Sequence, residues 1–218
     1  MDYYNYDTSV YPFREKVESY LQEDNLEYIH NKHAFSGLLT NSDGKTPDQG
    51  QFLHRKFYDA MDKDPSFKSL YDSMIKNIIK PMFKDEPILF QKFPTFRVHQ
   101  PSNICVFDWH RDKDFNHSEN EINIFLPITK AYGTNTIWAE SEESKHDFAP
   151  IEASYGEIVR WRGSVLKHGN KLNKTEQTRV SFDFRIIRLS DYNEHNAQQS
   201  ITTSTTLKRG EYFDERIV

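Results

Sequence analysis

The sequence predicts a mainly β fold, a sandwich or jelly roll, backed by a layer of N-terminal helices. Two observations carry that expectation. Apolar residues recur with helical period through the first ninety residues, and after Pro87 the period changes to two. At least six short β-rich runs then follow, separated by Asn, Gly, Pro and charged residues.

The helical layer reads in order. Pro12 suits a first helical turn, and Phe13, Val17, Tyr20 and Leu21 fall on one face behind it. A second helix is expected to open at Thr46, with Pro47 as its first residue and Gln49 completing a capping box; Leu53, Phe57, Ala60 and Met61 form its apolar stripe. A third opens at Asp64-Pro65, carries Phe67, Leu70, Tyr71, Met74, Ile75 and Ile78, and is expected to stop at Pro81.

The expected strands are "TFRVHQ", "NICVF", "EINIFLPIT", "NTIWAE", "GEIVRW" and "TRVSFDFRII". From Asp191 the chain turns polar and reads as a flexible tail or a lid. One domain is expected over 1–218, divided into a helical layer (1–90), a β core (91–190) and the tail (191–218).

Composition excludes several function classes. The chain has 218 residues, 14% aromatic, and a net charge of −5, so it holds enough apolar material for a core and gives little support for a nucleic-acid or anionic-membrane partner. The lone cysteine, Cys105, makes no internal disulfide and reads as packing in a reducing compartment. The first residues lack the order of a signal peptide, and no apolar run approaches membrane-spanning length, so a cytoplasmic protein is expected. No phosphate loop, HExxH or CxxC is present.

Chemistry concentrates at "NICVFDWHRDKDFNH". His110 and Asp112 stand at the rim of an apolar run, whereas the rival pair His117 and Glu119 lies in what reads as a wet loop. His30 and His33 read as solvated surface. A third candidate ligand, His168, falls at the end of the β-like run "GSVLKHGNKLN". Two histidines and one carboxylate from strand ends are the facial triad of non-haem Fe(II), which leaves positions open for a co-substrate and oxygen; the same ligand types also serve Zn(II). In "QTRVSFDFRII" a strand would point Arg179, Ser181, Asp183 and Arg185 one way and Val180, Phe182, Phe184 and Ile186 the other. A polar stripe facing water is one reading. A guanidinium and hydroxyl gripping a carboxylate is the other.

His-x-Asp, a distal His and then Arg-x-Ser resemble the Fe(II)/2-oxoglutarate-dependent oxygenases. Within them "FRVHQP", "WHRD", "EINIFLPIT", "HGNKLN" and "TRVSFDFR" look like the streptomycin-biosynthesis-type branch, distantly akin to phytanoyl-CoA hydroxylases; the resemblance spans about residues 94 to 190. It implies a double-stranded β-helix, the cupin-like form of jelly roll, with His110, Asp112 and His168 on iron. It also implies Arg179 and Ser181 on the distal carboxylate of 2-oxoglutarate, O2 as oxidant, and succinate and CO2 as co-products.

Around that centre the sequence offers further candidates. Asn123 shares the inward alternation with Phe125 and is a candidate contact to 2-oxoglutarate. Arg97, Trp138, Asn170 and Arg185 are candidates for substrate binding, each with a packing or ion-pair alternative; Asp183 and Arg185 are expected at most to pair with each other. The inward polar side chains suggest a small polar metabolite as the hydroxylated substrate. Two rivals stay open: a cupin-like metal enzyme without 2-oxoglutarate, and a non-enzymatic jelly roll that binds a small ligand.

Overall fold

The helices form where the apolar spacing and the caps coincide. Helix α1 (Phe13–Leu21) buries Phe13, Val17 and Leu21 on one face and ends at Gln22, whose left-handed φ of 54° closes the last turn. Helix α3 (Pro65–Met74) starts behind Asp64, whose side chain accepts from Ser66 N at 2.9 Å, with Pro65 where a missing N–H costs nothing. It runs on past Met74 through a π turn (Ile75–Ile79) that buries Ile75 and Ile79, and a 3-10 turn (Lys80–Phe83) that contains Pro81. Pro81 therefore tightens the helical chain rather than ending it. Helix α2 is described from Phe52 to Met61 and buries Leu53, Phe57 and Met61. The computed structural model describes residues 1–35, 51–105, 109–194, 197–201 and 204–218, so the expected start at Thr46-Pro47 lies outside the described residues.

Among the described residues the strands are β1 (Asp2–Asn5), β2 (Ile88–Phe90), β3 (Thr95–His99), β4 (Ile122–Pro127), β5 (Ile137–Ala139), β6 (Ala149–Pro150), β7 (Glu157–Trp161), β8 (His168–Asn170) and β9 (Arg179–Arg188). They form two antiparallel sheets. The large one runs β1-β7-β4-β9-β2, with β3 also paired to β9; the small one runs β6-β5-β8. The helical layer is thus not purely helical, because β1 pairs with β7 and β2 with β9. Residues 103–105 of the expected "NICVF" strand lie in no strand; Asn103 caps a loop there by accepting from Ile104 N, and Val106 and Phe107 lie outside the described residues.

Each face of the large sheet has its own core. On the helix side, Val180, Phe182, Phe184 and Ile186 of β9 join Phe96, Val98, Ile124 and Leu126 against the helical aromatics. Phe57 stacks on Phe96 with centroids 4.2 Å apart and planes 12° apart. On the other side, Phe125, Val159 and Trp161 face Ile137 and Ala139 of the small sheet and Ile151 just after β6. This second, thinner core is the jelly-roll interior. Strand alternation puts Asn123, Arg179, Ser181 and Arg185 on that inner side.

The segment after Asp191 is docked, not loose, in its last part. Val218 and Ile88 exchange backbone hydrogen bonds of 2.9 and 3.2 Å, Lys92 N donates to Tyr212 O at 2.9 Å, and Phe213 is 1% exposed. The C-terminus thereby covers the open edge of β2.

Replacing Phe57 by Ala empties the contact between α2 and the sheet. Chemical denaturation should show a loss of about 3–5 kcal/mol; a loss under about 1 kcal/mol would remove the Phe57–Phe96 stack from the fold's core.

Candidate metal centre

The three candidate ligands converge. His110, Asp112 and His168 each offer one donor atom, and these atoms all lie within 4.8 Å of one another. Asp112 Oδ1 is 3.6 Å from His110 Nε2 and 3.7 Å from His168 Nε2. The imidazole centroids are 4.5 Å apart.

Backbone pairing sets this spacing. His110 and His168 form an antiparallel bridge, with N–H···O distances of 2.9 and 2.8 Å, which aligns the two imidazoles at the edge of the small sheet. His168 therefore opens β8 instead of closing a preceding strand. The adjacent contact is between Trp109 and Gly169, where an added Cβ would meet the Trp109 ring at 2.8 Å. Glycine leaves room there for the indole, which Phe148 meets edge-on with ring centroids 4.7 Å apart. Asp112 opens a 3-10 turn (Asp112–Phe115) whose first N–H bonds Gly163 O at 3.0 Å.

The remaining atoms of the site are held by protein groups. Asp112 Oδ2 accepts from Asn123 Nδ2 at 2.7 Å and from Arg185 Nε at 2.9 Å, which leaves Oδ1 facing the histidines. His168 Nδ1 lies 3.0 Å from Leu166 O; donation to that carbonyl puts the proton on Nδ1 and the lone pair on Nε2. Burial alone would raise the Asp112 carboxyl, but the charge of Arg185, with the two imidazoles, holds it well below the usual carboxylate range. Burial pushes the His168 imidazole down to about 4. Neutral imidazole and ionised carboxylate are the forms a divalent cation binds. Phe115 stands edge-on to His110 at 4.8 Å, and Trp161 edge-on to His168 at 4.8 Å, so apolar rings shield the ligands.

Arg179 lies elsewhere on the same inner face of β9 and is 1% exposed. Its Nε donates to Asn135 O at 3.0 Å and its Nη1 to Ser181 Oγ at 2.5 Å. Among the described residues no carboxylate lies within ion-pair distance of it, and its cationic carbon stands 5.8 Å from the Phe125 ring. A buried guanidinium without a counter-ion is costly unless an anion is supplied from outside the chain.

The other candidates divide. Asn170 faces inward beside His168, with Nδ2 donating to Thr136 O at 3.1 Å. Asn123 holds Asp112 through Nδ2, with its buried Oδ1 left without a hydrogen-bond partner among the described residues, and Arg185 holds the same carboxylate through Nε. Arg97 pairs with Asp183 at 3.0 Å, which also ends the expected Asp183–Arg185 pair. Trp138 lies opposite the inward Ile137 and Ala139, with its Nε1 on Gly133 O and Lys171 Nζ 3.1 Å from its ring centroid, so it does not wall the interior. The inward polar stripe is largely self-satisfied, and its support for a polar substrate falls accordingly.

Among the rival histidines, His117 is 8% exposed and bonds Glu121 at 2.8 Å, while Asn116, Glu119 and Asn120 of the same stretch are exposed and Glu119 turns to Lys113. His30 meets Thr178 Oγ1 at 2.8 Å, and His33 meets Glu23. Sequence reasoning missed Trp161, Phe115 and Tyr212, whose hydroxyl lies 2.9 Å from Arg185 Nη1.

Fold and site together define a class: a double-stranded β-helix with a two-histidine, one-carboxylate centre, the frame of the non-haem iron oxygenases. The chain belongs to the family of the streptomycin biosynthesis protein StrG of Streptomyces griseus, to which it is 35% identical over 210 residues, across 96% of this chain and 95% of that one. No family model matches. The fold is similar to that of EctD from S. alaskensis with bound Fe (TM-score 0.54, 11% identity, 95% of this chain and 77% of that one). It is also similar to the non-haem carbocyclase SnoK of nogalamycin biosynthesis (TM-score 0.50, 10% identity, 85% and 79%). No helix among the described residues is long and apolar enough to cross a membrane.

The depressed His168 value has a stability consequence. Its folded value of about 4 lies below the unfolded 6.5, so the unfolded chain takes up the proton first, and metal-free protein loses stability as pH falls from 6.5 towards 4. The size is on the order of 3 kcal/mol. Asp112 acts only at lower pH, below its ordinary 3.8. Urea titrations at stepped pH should show a clearly shallower dependence in His168→Gln over this window; an identical slope would mean that the imidazole is not buried neutral.

Proposed function

We propose that this protein is a Fe(II)/2-oxoglutarate-dependent oxygenase that hydroxylates, or otherwise oxidises a C–H bond of, a small metabolite, with succinate and CO2 as co-products. The single observation that carries the reading is Arg179: a fully buried guanidinium, fitted with a hydroxyl acceptor and, among the described residues, no carboxylate, on the inner face that also borders the triad. A cupin-like metal enzyme without 2-oxoglutarate, or a metal-independent binding module, gives that cation no purpose.

The donor set fits the ion. His110, Asp112 and His168 would hold Fe(II), because two neutral imidazoles and one carboxylate are its preferred three-ligand set and leave open positions. Iron bound there would supply activation of O2, with 2-oxoglutarate as the source of two electrons. Arg179 and Ser181 would bind the distal carboxylate of 2-oxoglutarate, the guanidinium through parallel N–H groups and the serine through the hydroxyl proton that its acceptance from Arg179 leaves free. Asn123 would hold Asp112 through Nδ2 and leave its unpartnered Oδ1 for the co-substrate side, while Asn170 would line the space beside His168. Trp161 and Phe115 exclude water around the ligands.

The relative of streptomycin biosynthesis suggests the substrate class, a small metabolite of natural-product biosynthesis. Cytoplasmic location fits the single buried Cys105.

Anaerobic addition of Fe(II) and then 2-oxoglutarate should produce a visible metal-to-ligand charge-transfer band. The band should be absent in His110→Ala. In Arg179→Ala, co-substrate binding should weaken by about 2–5 kcal/mol, and in Ser181→Ala by about 1 kcal/mol. A folded wild-type protein with no band, or an Arg179→Ala variant with unchanged affinity, would count against 2-oxoglutarate.

A further inference from the structure

The C-terminal segment reaches the candidate metal centre through one hydroxyl. Arg185 lies half-buried between two carboxylates: its Nε lies 2.9 Å from Asp112 Oδ2 and 3.9 Å from Glu121 Oε2. Glu121 is itself fixed, with His117 Nδ1 at 2.8 Å and Ser118 N donating at 3.1 Å. Asp112 and Glu121 are each 1% exposed, so little water screens either from the guanidinium. One Nε–H faces two acceptors, and geometry has to choose between them.

The choice is made by a second anchor. Arg185 Nη1 donates to the Tyr212 hydroxyl at 2.9 Å, and that hydroxyl donates onward to Gln91 Oε1 at 2.9 Å. A planar guanidinium held at two points has lost its rotation, and the plane so fixed points Nε at Asp112. Tyr212 is in turn registered by the backbone. Lys92 N donates to its carbonyl at 2.9 Å, Gln91 and Phe213 form an antiparallel bridge, and its ring stands edge-on to His117 at 5.5 Å.

We propose that Tyr212 is a positioning residue for the metal: by clamping Arg185 onto Asp112 Oδ2 it keeps Oδ1 as the one ligand oxygen turned to the histidines. Docking of the C-terminal segment thereby becomes a condition for tight divalent-metal binding. Without the hydroxyl, Arg185 is free to turn towards Glu121, and Asp112 loses the partner that fixes its second oxygen. The proposal rests on the triad being a metal site.

Titration of metal-free protein with Mn(II), followed by calorimetry, and the absorption spectrum of the Co(II) form test it without any turnover. Tyr212→Phe keeps the ring and its packing. It should bind Mn(II) about tenfold more weakly, in line with losses at groups that orient metal ligands, with an altered Co(II) spectrum and a metal-free melting temperature close to wild type. Arg185→Lys, which cannot span both anchors, should change both readouts in the same direction and further. Affinity within about twofold of wild type and an unchanged Co(II) spectrum in Tyr212→Phe would overturn the proposal. So would a loss of affinity that merely follows a lowered melting temperature, with the spectrum intact. Wild type that binds no Mn(II), or Asp112→Ala that binds it as wild type does, would instead sink the metal reading underneath.

Discussion

The divided carboxylate of Asp112 is the contact on which the rest of the centre depends. One oxygen faces both His110 and His168; the other is held by Asn123 and Arg185. A buried carboxylate with one free and one neutralised oxygen is a directional ligand, because rotation about its Cβ–Cγ bond would break two hydrogen bonds at once. The same arrangement explains how Arg185 can be drawn half into the interior. It meets the charge of Asp112 directly and that of Glu121 at longer range. Gly163 belongs to this arrangement too, since an added Cβ there would meet the Asn123 side chain at 2.7 Å.

Two cores divide the labour of the fold. The helix-side core is thick and aromatic, with Phe13, Phe57, Phe67, Phe96 and Phe182 in mutual ring contact. It holds the large sheet still. The inner core between the sheets is smaller, and polar side chains interrupt it where chemistry is expected. Burying Arg179 and Asp112 costs free energy that an apolar interior would not require, and the helix-side packing offsets that cost. Rigidity on one face of β9 thus permits polar burial on the other.

Arg179 and Arg185 share a strand face yet have opposite circumstances. Arg185 is held by Asp112 and Tyr212, while Arg179 is held by a carbonyl and a hydroxyl and by no carboxylate among the described residues. On the reading proposed above, the difference separates a guanidinium that orients Asp112 from one that binds the co-substrate's carboxylate. Strand alternation places both inward and cannot distinguish them; only the partners do.

The sequence by itself determined the layers, the alternation of β9 and the residue types of the triad, because these follow from local period and from ligand chemistry. Helical spacing of Phe13, Val17 and Leu21, and the Arg-x-Ser stripe against Val-x-Phe, are properties of neighbouring residues. Tertiary structure decided the rest. Trp138 turns outward because Gly169, paired with it across β5 and β8, belongs to the face opposite the one that carries His168 and Asn170. Arg97 found Asp183 across β3 and β9, and Arg185 found Asp112 and a tyrosine from the C-terminal segment. No local pattern encodes such pairings: they depend on sheet register and on which distant segment covers an edge, and both are fixed only when the whole chain packs.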